Sequence, residues 1–290
     1  MWLKLLLGTF FILSLLASIL VAPASEHPST RDSNSGSQTE NDRSFRLMTW
    51  NVGNGDLESE TRAHTEDLPA VAEVILDNDA DAVALQELTG NDQLQLLLQH
   101  LNNRYSGYVC SSGAGDRVEA VLVKKLSKHP DSGAVFSDLP AGDRLAAAAV
   151  FRAGKHSDEV ALVSAHADAF SAARRRAFAT DVTNWARSHS KSGLTFIAGD
   201  FNFEVSTRNK NNLFTDDAKH DSESYAYLLK YFRDLGLDAG ETSINDRRID
   251  YVFGPVTKVS LRRAEVLRSA AVGRMDHLPL LVEVGFEPNE

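Results

Sequence analysis

The chain has 290 residues, of which 43% are hydrophobic and 24% are charged, and this composition excludes a fibrous or a wholly disordered protein. Its 40 acidic residues exceed its 30 basic residues, and the formal net charge of −10 argues against a protein that coats long nucleic acids through a basic surface. The same charge leaves open a protein that contacts nucleic acid at only a few points. Cys110 is the single cysteine, which excludes an intrachain disulfide and a zinc site built from cysteines.

The first 24 residues differ in character from the rest. Lys4 precedes the apolar run 5–22, and Ala22-Pro23-Ala24 fits the small-residue rule for signal cleavage. We therefore expect residues 1–24 to be a signal peptide and the protein to be extracytoplasmic, either secreted or periplasmic. An uncleaved membrane anchor stays open, because about 18 apolar residues just suffice to span a bilayer. Only in that case do we expect membrane contact.

Residues 25–44 contain no large apolar side chain. A segment of this kind cannot bury enough apolar surface to offset the entropy of ordering, so it predicts a disordered linker. The rest of the chain, residues 45–290, contains neither an internal repeat nor a second linker, and predicts one α/β domain.

Strand-like and helix-like patterns alternate from Phe45 onward, separated by short breaks. Four segments have helical spacing of apolar residues, at 68–75, 94–101, 178–185 and 225–235. Nine apolar segments predict strands, at 45–52, 81–86, 118–123, 145–151, 160–165, 194–198, 249–253, 259–267 and 278–284.

Polar residues that could take part in catalysis or metal binding occur where these predicted strands end or begin. Since several strand ends can meet at one rim of a sheet, side chains far apart in sequence could share one cleft. The residues are Asn51, Glu87, His166, Asp200, Asn202, Asp250, Asp276 and His277.

Most of these residues also have an ordinary structural explanation when taken alone. Asn51 could form a turn, and Glu87 could cap the following helix. The segment 198–203 is more specific, because Asp200 and Asn202 alternate with phenylalanines at period two, which places both on one face of an extended segment. Within it, Gly199 allows another group to approach the backbone closely.

Asp250 lies inside an apolar strand pattern, where an unpaired carboxylate is costly. It therefore needs a partner, and a histidine is the best candidate. His277, beside Asp276, opens the last strand pattern, and His166 ends an earlier one. Each histidine could also be a structural residue whose ring nitrogens are hydrogen-bonded within the protein.

The residue types together favour phosphoryl transfer assisted by a metal ion. Oxygen ligands from Asn, Asp and Glu suit Mg²⁺, Mn²⁺ or Ca²⁺. Crowded carboxylates would take up protons without such a cation, and histidines can transfer protons near neutral pH. The sequence has no Gly-x-Ser-x-Gly elbow, no Gly-rich phosphate loop with Lys-Ser/Thr, and no His-Glu-x-x-His motif.

Six short motifs in order resemble the endonuclease/exonuclease/phosphatase superfamily, which includes pancreatic deoxyribonuclease. The resemblance runs from about Phe45 to Val284, and it implies a four-layer α/β sandwich of two facing mixed β-sheets flanked by helices. The motifs are Thr-Trp-Asn at 49–51, Leu-Gln-Glu at 85–87, Ser-Ala-His at 164–166, Gly-Asp-Phe-Asn at 199–202, Ile-Asp-Tyr at 249–251 and Asp-His at 276–277.

The resemblance also implies metal ligands. It identifies Glu87 as the principal ligand of Mg²⁺ or Mn²⁺, with Asn51 and Asp276 beside it.

The remaining motif residues are implied to be catalytic. Asp200 and Asn202 resemble the pair that orients the attacking water and contacts phosphate. His277 resembles the base or phosphate stabiliser, with Asp250 fixing its tautomer, and His166 resembles the histidine near the phosphate or leaving group.

The function implied is hydrolysis of phosphodiesters by in-line attack of water, with a secreted nuclease acting on DNA or RNA slightly favoured. A phosphatase, or a phospholipase or sphingomyelinase acting on small or lipid phosphoesters, is the alternative. A non-catalytic binding protein on the same fold is an alternative of another class. No protein partner is implied.

Local cations would have to contact a polyanionic substrate, and Arg144, Arg174 and Arg248 are the candidates. In the basic run 174–176, helical spacing places Arg174 on the stripe of Phe178 and predicts that its two neighbours face solvent. Asp168 is expected to cap the helix that follows it.

Overall fold

The computed structural model describes residues 44–54, 63–113, 115–125, 133–153, 159–189, 192–205, 218–243 and 246–287. The segment 1–24 and, apart from Ser44, the linker 25–44 lie outside these residues, so the signal peptide and the disordered linker stay predictions. None of the described helices combines the length and apolar character needed to cross a membrane.

The described residues form two six-stranded mixed sheets. The first sheet has the order β11-β12-β1-β2-β4-β3, and the second has the order β5-β6-β7-β8-β10-β9. Each sheet contains one parallel pair, β1 with β2 and β7 with β8, among antiparallel neighbours. The strands are β1 Ser44–Asn51, β2 Ala82–Leu88, β3 Tyr105–Val109, β4 Val118–Lys124, β5 Val135–Ala141, β6 Arg144–Arg152, β7 Glu159–His166, β8 Leu194–Asp200, β9 Phe232–Asp234, β10 Asp250–Pro255, β11 Val259–Val266 and β12 Leu280–Phe286.

Helices cover the outer faces, and the two sheets pack against each other. Helices α1 and α2 contribute to the core of the first sheet, which continues into the space between the sheets. Helix α3 packs on the outer face of the second sheet and against α4. The helices are α1 Leu68–Asp77, α2 Asn91–His100, α3 Ala172–His189 and α4 Ala218–Leu228, with short 3-10 turns at Thr65–Asp67 and Arg268–Ala270.

This arrangement is the predicted four-layer sandwich. Both sheets and both hydrophobic cores are built from residues 44–287 alone, so this part of the chain contains every contact on which the described fold depends.

All nine predicted strands are present, whereas three edge strands, β3, β5 and β9, were missed. β3 and β5 contain few consecutive apolar residues and are only partly buried, so they lack the pattern of a core strand. The helix predicted over 225–235 is wrong in its second half, because α4 ends at Leu228 and residues 232–234 form β9. β9 exists through its pairing with β10, a tertiary contact that local spacing cannot reveal.

Gly199 fixes the register of β7 against β8. A Cβ atom at this position would lie 1.9 Å from the carbonyl oxygen of Ala165, so only glycine permits the close approach of the two strands. In this register His166 pairs with Asp200 at the end of both strands. The glycine therefore places two polar side chains next to each other at one rim of the sheet.

The prediction for the basic run 174–176 is wrong. Arg175 is fully buried and forms two hydrogen bonds with Asp221 of α4, at 2.8 and 3.1 Å, whereas the side chain of Arg174 is 60% exposed. Arg175 also donates to the carbonyl oxygen of Asp168 at 3.0 Å. Helical spacing alone could not identify this arginine, because its burial depends on an acid 46 residues away.

We expect Arg175→Ala to lower the free energy of unfolding by about 3–5 kcal/mol, because it removes the buried guanidinium that pairs with the buried carboxylate of Asp221. Arg174→Ala, next along the same helix, should change it by less than about 0.5 kcal/mol. Urea denaturation measures both. Equal effects of the two substitutions would contradict the assignment of Arg175 as the buried arginine.

Candidate active site

The predicted site residues meet at one rim of the sandwich. In the first sheet, Asn51 ends β1 and Glu87 lies near the end of the parallel strand β2. In the second sheet, His166 and Asp200 end the parallel strands β7 and β8. Because parallel strands end at the same edge, both sheets present their polar residues on the same side.

One atom, Oδ2 of Asp200, lies at the centre of the cluster. It accepts a hydrogen bond from Nδ2 of Asn51 at 3.2 Å, which joins the two sheets. Nε2 of His277 lies 3.7 Å from it, and Nε2 of His166 lies 3.8 Å from it. The other carboxylate oxygen accepts from the backbone N–H of Asn202 at 2.8 Å.

Glu87 reaches the cluster through an irregular backbone. It has a φ of +68°, which is rare for a residue other than glycine, and the β2–β4 register shifts between residues 85 and 88. Its Oε1 lies 3.6 Å from Nε2 of His166 and 3.3 Å from Nη1 of Arg117. Burial raises the pKa of the Glu87 carboxyl, and the charges of His166 and Arg117 only partly offset that effect.

A carboxylate missed by the sequence analysis, Glu119 on β4, holds the other side of His166. Its Oε1 lies 3.2 Å from Nδ1 of His166, and its Oε2 accepts a hydrogen bond from the thiol of Cys110 at 3.1 Å. Burial tends to lower the pKa of His166, but the hydrogen bond to Glu119 and the charges of Glu87 and Asp200 outweigh it, so the pKa is raised. Glu119 lies inside an apolar strand, which is the signal that identified Asp250.

The predicted pair of Asp250 and His277 is present. Nδ1 of His277 donates to Oδ2 of Asp250 at 2.8 Å, and both residues are buried. The indole N–H of Trp50 donates to the carbonyl oxygen of His277 at 3.2 Å and ties this loop to β1. Burial tends to lower the pKa of His277, but the charges of Asp250, Asp200 and Asp276 raise it well above its usual value.

Two further predicted residues lie at the edge of the cluster. Asn202 is buried with a φ of +53°, and its side chain donates to the carbonyl oxygen of Ala167 at 3.1 Å. Asp276 is partly exposed, and its carboxylate forms no hydrogen bond or ion pair with any residue in the described ranges. Its position beside His277 and its open carboxylate leave it available as a ligand.

The donor set and charge of the cluster fit a hard divalent cation. Five carboxylates, those of Glu87, Glu119, Asp200, Asp250 and Asp276, are accompanied by Arg117 and two histidines, so an excess of negative charge remains even when both histidines are protonated. Ligand atoms of Asp200, Asp250 and His277 lie within 4.8 Å of one another and could hold a metal ion. The hydrogen bond between Asp250 and His277 already occupies one ligand atom of each, which favours carboxylates outside that pair as ligands.

Two adjoining cavities extend the rim beside this cluster. One, of about 830 Å³, begins at Thr89 near Glu87, and the other, of about 370 Å³, is lined by Arg144 and Arg174. They share Ser112 and Gly113.

Of the three candidate cations, Arg144 and Arg174 therefore lie beside the site, where both contact Asp168. Asp168 also accepts from the backbone N–H groups of Phe170 and Ser171, both of which precede α3. The prediction that Asp168 caps this helix is therefore wrong, because the hydroxyl of Ser171 accepts from the backbone N–H of Arg174 and Ser171 is the N-cap. Arg248 is wrong as a substrate contact, because it is buried and donates to both oxygens of Asp234 at 2.7 Å.

Comparison with known proteins agrees with this geometry. The sequence profile described as Endonuclease/Exonuclease/phosphatase family matches residues 48–273. No curated protein sequence matches the chain.

Solved structures share the fold. A mannosyl-6-phosphatase from Bacteroides thetaiotaomicron is 16% identical over 83% of this chain and 100% of its own, with a TM-score of 0.64. The human Nocturnin catalytic domain, solved with a bound sulfate anion, is 19% identical over 84% and 95%, with a TM-score of 0.61. A protein of the same family from Bacteroides thetaiotaomicron is 16% identical over 84% and 98%, with a TM-score of 0.64. Identities this low establish a common fold and leave the substrate open.

The two acid–histidine pairs can be tested separately by NMR titration of the imidazoles in the metal-free protein. We expect Glu119→Gln to lower the pKa of His166, because it removes the negative charge that stabilises the protonated ring, and to affect His277 less. Asp250→Asn should lower the pKa of His277 and affect His166 less, so each variant controls for the other. Equal movement of both histidines in either variant would contradict this pairing.

Proposed function

The chain belongs to the endonuclease/exonuclease/phosphatase family, whose members hydrolyse phosphoester bonds, and we propose that it cleaves phosphodiesters with a bound Mg²⁺ or Mn²⁺ ion. The observation that supports this proposal best is the position of Asp200. Its Oδ2 atom lies within 4 Å of nitrogens from Asn51, His166 and His277, three residues from distant parts of the sequence. A cleft that combines buried carboxylates with two histidines suits in-line attack of water on phosphorus.

Three residues would hold the ion. Glu87 is the principal ligand in this proposal, because its carboxylate is buried at the rim, and Asn51 and Asp276 complete the set. When bound, the ion would neutralise negative charge on the phosphoryl group.

The two histidines would handle protons and charge. The hydrogen bond to Asp250 fixes Nδ1 of His277 as the protonated nitrogen and directs Nε2 toward Asp200. Glu119 orients His166 in the same way, so that its Nε2 faces Glu87 and Asp200. Asp200 and Asn202 would then position the attacking water and the phosphate.

For the substrate we favour nucleic acid. The two adjoining cavities form an extended surface beside the site, and Arg144 and Arg174 line one of them, which suits a chain with several phosphates. A small phosphoester needs only the central cluster, and the shared fold of a mannosyl-6-phosphatase supports that alternative. A lipid phosphoester belongs to the same alternative. A non-catalytic binding protein is disfavoured, because all the predicted catalytic residues are present and both histidines lie within 4 Å of Asp200.

We also propose that the protein acts outside the cytoplasm. This proposal is supported by the apolar run 5–22 and the small residues at 22–24.

Metal dependence is the first test of the activity. We expect excess EDTA to abolish cleavage and Mg²⁺ or Mn²⁺ to restore it. Glu87→Gln should lower kcat/KM by at least about 10²-fold, because it removes charge that holds the ion, without a matching loss of stability. The control is Glu73→Gln, which changes an exposed carboxylate on α1. Full activity in EDTA would rule out the proposed chemistry.

Substrate class is tested with supercoiled plasmid, a single-stranded oligonucleotide, phosphatidyl and sphingosyl phosphodiesters, and a small phosphomonoester across a salt series. We expect plasmid nicking with a log–log salt slope shallower than roughly −3, because only a few cations contact phosphate. Arg174→Ala should reduce the magnitude of the slope by about 1, whereas Arg187→Ala at the other end of α3 should not. Turnover of a lipid or small ester without cleavage of any polynucleotide would overturn the nuclease proposal in favour of the alternative.

A further inference from the structure

A second groove, of about 530 Å³, lies between the edge strands β9 and β11 of the two sheets. Its walls come from the end of α4, the segment after β9, the turn after β10 and the middle of β11. It contains no residue of the catalytic cluster.

Exposed aliphatic side chains line this groove. Leu229, Leu237 and Val256 are 41%, 57% and 60% exposed, and all three line it. The other large hydrophobic residues with comparable exposure in the described ranges, Leu96, Val135 and Phe170, do not line it. Exposed apolar side chains that lie together are typical of a surface that binds a protein or a membrane.

Three arginines surround the aliphatic residues. Arg233 is exposed and forms no ion pair with a described residue, and Arg262 and Arg263 follow each other on β11. A register shift between Leu261 and Arg263 makes both arginines exposed instead of alternating. Charges and a bulge also protect an edge strand from pairing, but protection of the edge does not explain exposed leucines beside it.

The balance of charge at the groove is positive, in a chain whose net charge is −10. Three arginines and two acids, Asp234 and Asp238, line it, which is a formal excess of one positive charge. Asp234 is bonded to Arg248, and Arg263 is paired with Glu265, so these two outer partners cancel and leave the excess unchanged.

We propose that this groove docks the protein on an anionic phospholipid bilayer, with the leucines and valine in the interface and the arginines at the lipid phosphates. A symmetric dimer is disfavoured, because a two-fold axis would bring the same arginines of both copies together. A nucleic acid is disfavoured, because the exposed apolar side chains are aliphatic and offer no stacking surface.

The start of the described chain lies close to this groove. Ser44 pairs with Gly285, which pairs with Ser260 of β11, so two strand spacings, about 10 Å, separate Ser44 from the groove-lining strand. The groove residues Leu261 and Ala264 pair through Val284 and Val282 with Phe45 and Leu47, so the groove lies beside the first half of β1. Asn51, at the catalytic rim, lies roughly 13–20 Å further along β1. Lipid contact at the groove would therefore leave the catalytic residues outside the contact.

The test is co-sedimentation of residues 25–290 with vesicles of phosphatidylglycerol and phosphatidylcholine, and with vesicles of phosphatidylcholine alone. This fragment contains all the described fold and lacks the apolar run 5–22. We expect binding to the anionic vesicles only, weakening as salt is raised. Leu237→Ser with Val256→Ser should weaken binding at least about tenfold, and Arg233→Ala about fivefold.

The matched controls are Val135→Ser and Arg152→Ala, which change an exposed aliphatic and an exposed basic residue outside the groove. They should bind like the unmodified fragment, and phosphodiesterase activity in the absence of vesicles should be equal in all variants. Loss of binding that is equal in groove and control variants, or no binding to anionic vesicles, would overturn the proposal. A concentration-dependent dimer that the Leu237 and Val256 substitutions abolish would assign the groove to a second copy instead.

Discussion

Four carboxylates buried at one end of the sandwich impose the main physical constraint on this protein. Glu87, Glu119, Asp200 and Asp250 are all at most 8% exposed, and buried acids without partners would either take up protons or unfold the region around them. His166 and His277 lie between these carboxylates and pair with them. Since Glu87 and Glu119 belong to the first sheet and Asp200 and Asp250 to the second, the packing of one sheet on the other and the electrostatics of the site depend on each other.

The same constraint explains why regular geometry is interrupted at the site. Glu87 and Asn202 both have positive φ values, and the β2–β4 register shifts at Glu87. Such conformations cost free energy and persist only where the surrounding contacts hold them. Here those contacts are the ion pairs and hydrogen bonds of the cluster. Gly199, one residue before Asp200, allows β7 and β8 to approach so closely that His166 and Asp200 become neighbours.

The sequence predicted most of the fold and most of the cluster, because the signals concerned are local. Apolar periodicity located the core strands, and polar residues at their ends located the site. Glu119 carries the same local signal as Asp250, an acid inside an apolar strand, but its role depends on the approach of His166. Arg175 has no local signal, because its burial depends on Asp221 of α4. The edge strand β9 was missed for the same reason, since its pairing with β10 defines it.

Charge is distributed differently at the catalytic rim and at the groove between β9 and β11. Near the catalytic rim, Arg117, Arg144 and Arg174 each face a carboxylate, so they do not create a strongly positive surface there. With a net charge of −10, the chain cannot draw a polyanion to this rim by its overall field. A divalent cation would then be needed to bind the substrate as well as to cleave it. At the groove between β9 and β11, exposed Arg233 has no such carboxylate among the described residues, and attraction of an anionic surface there needs no metal.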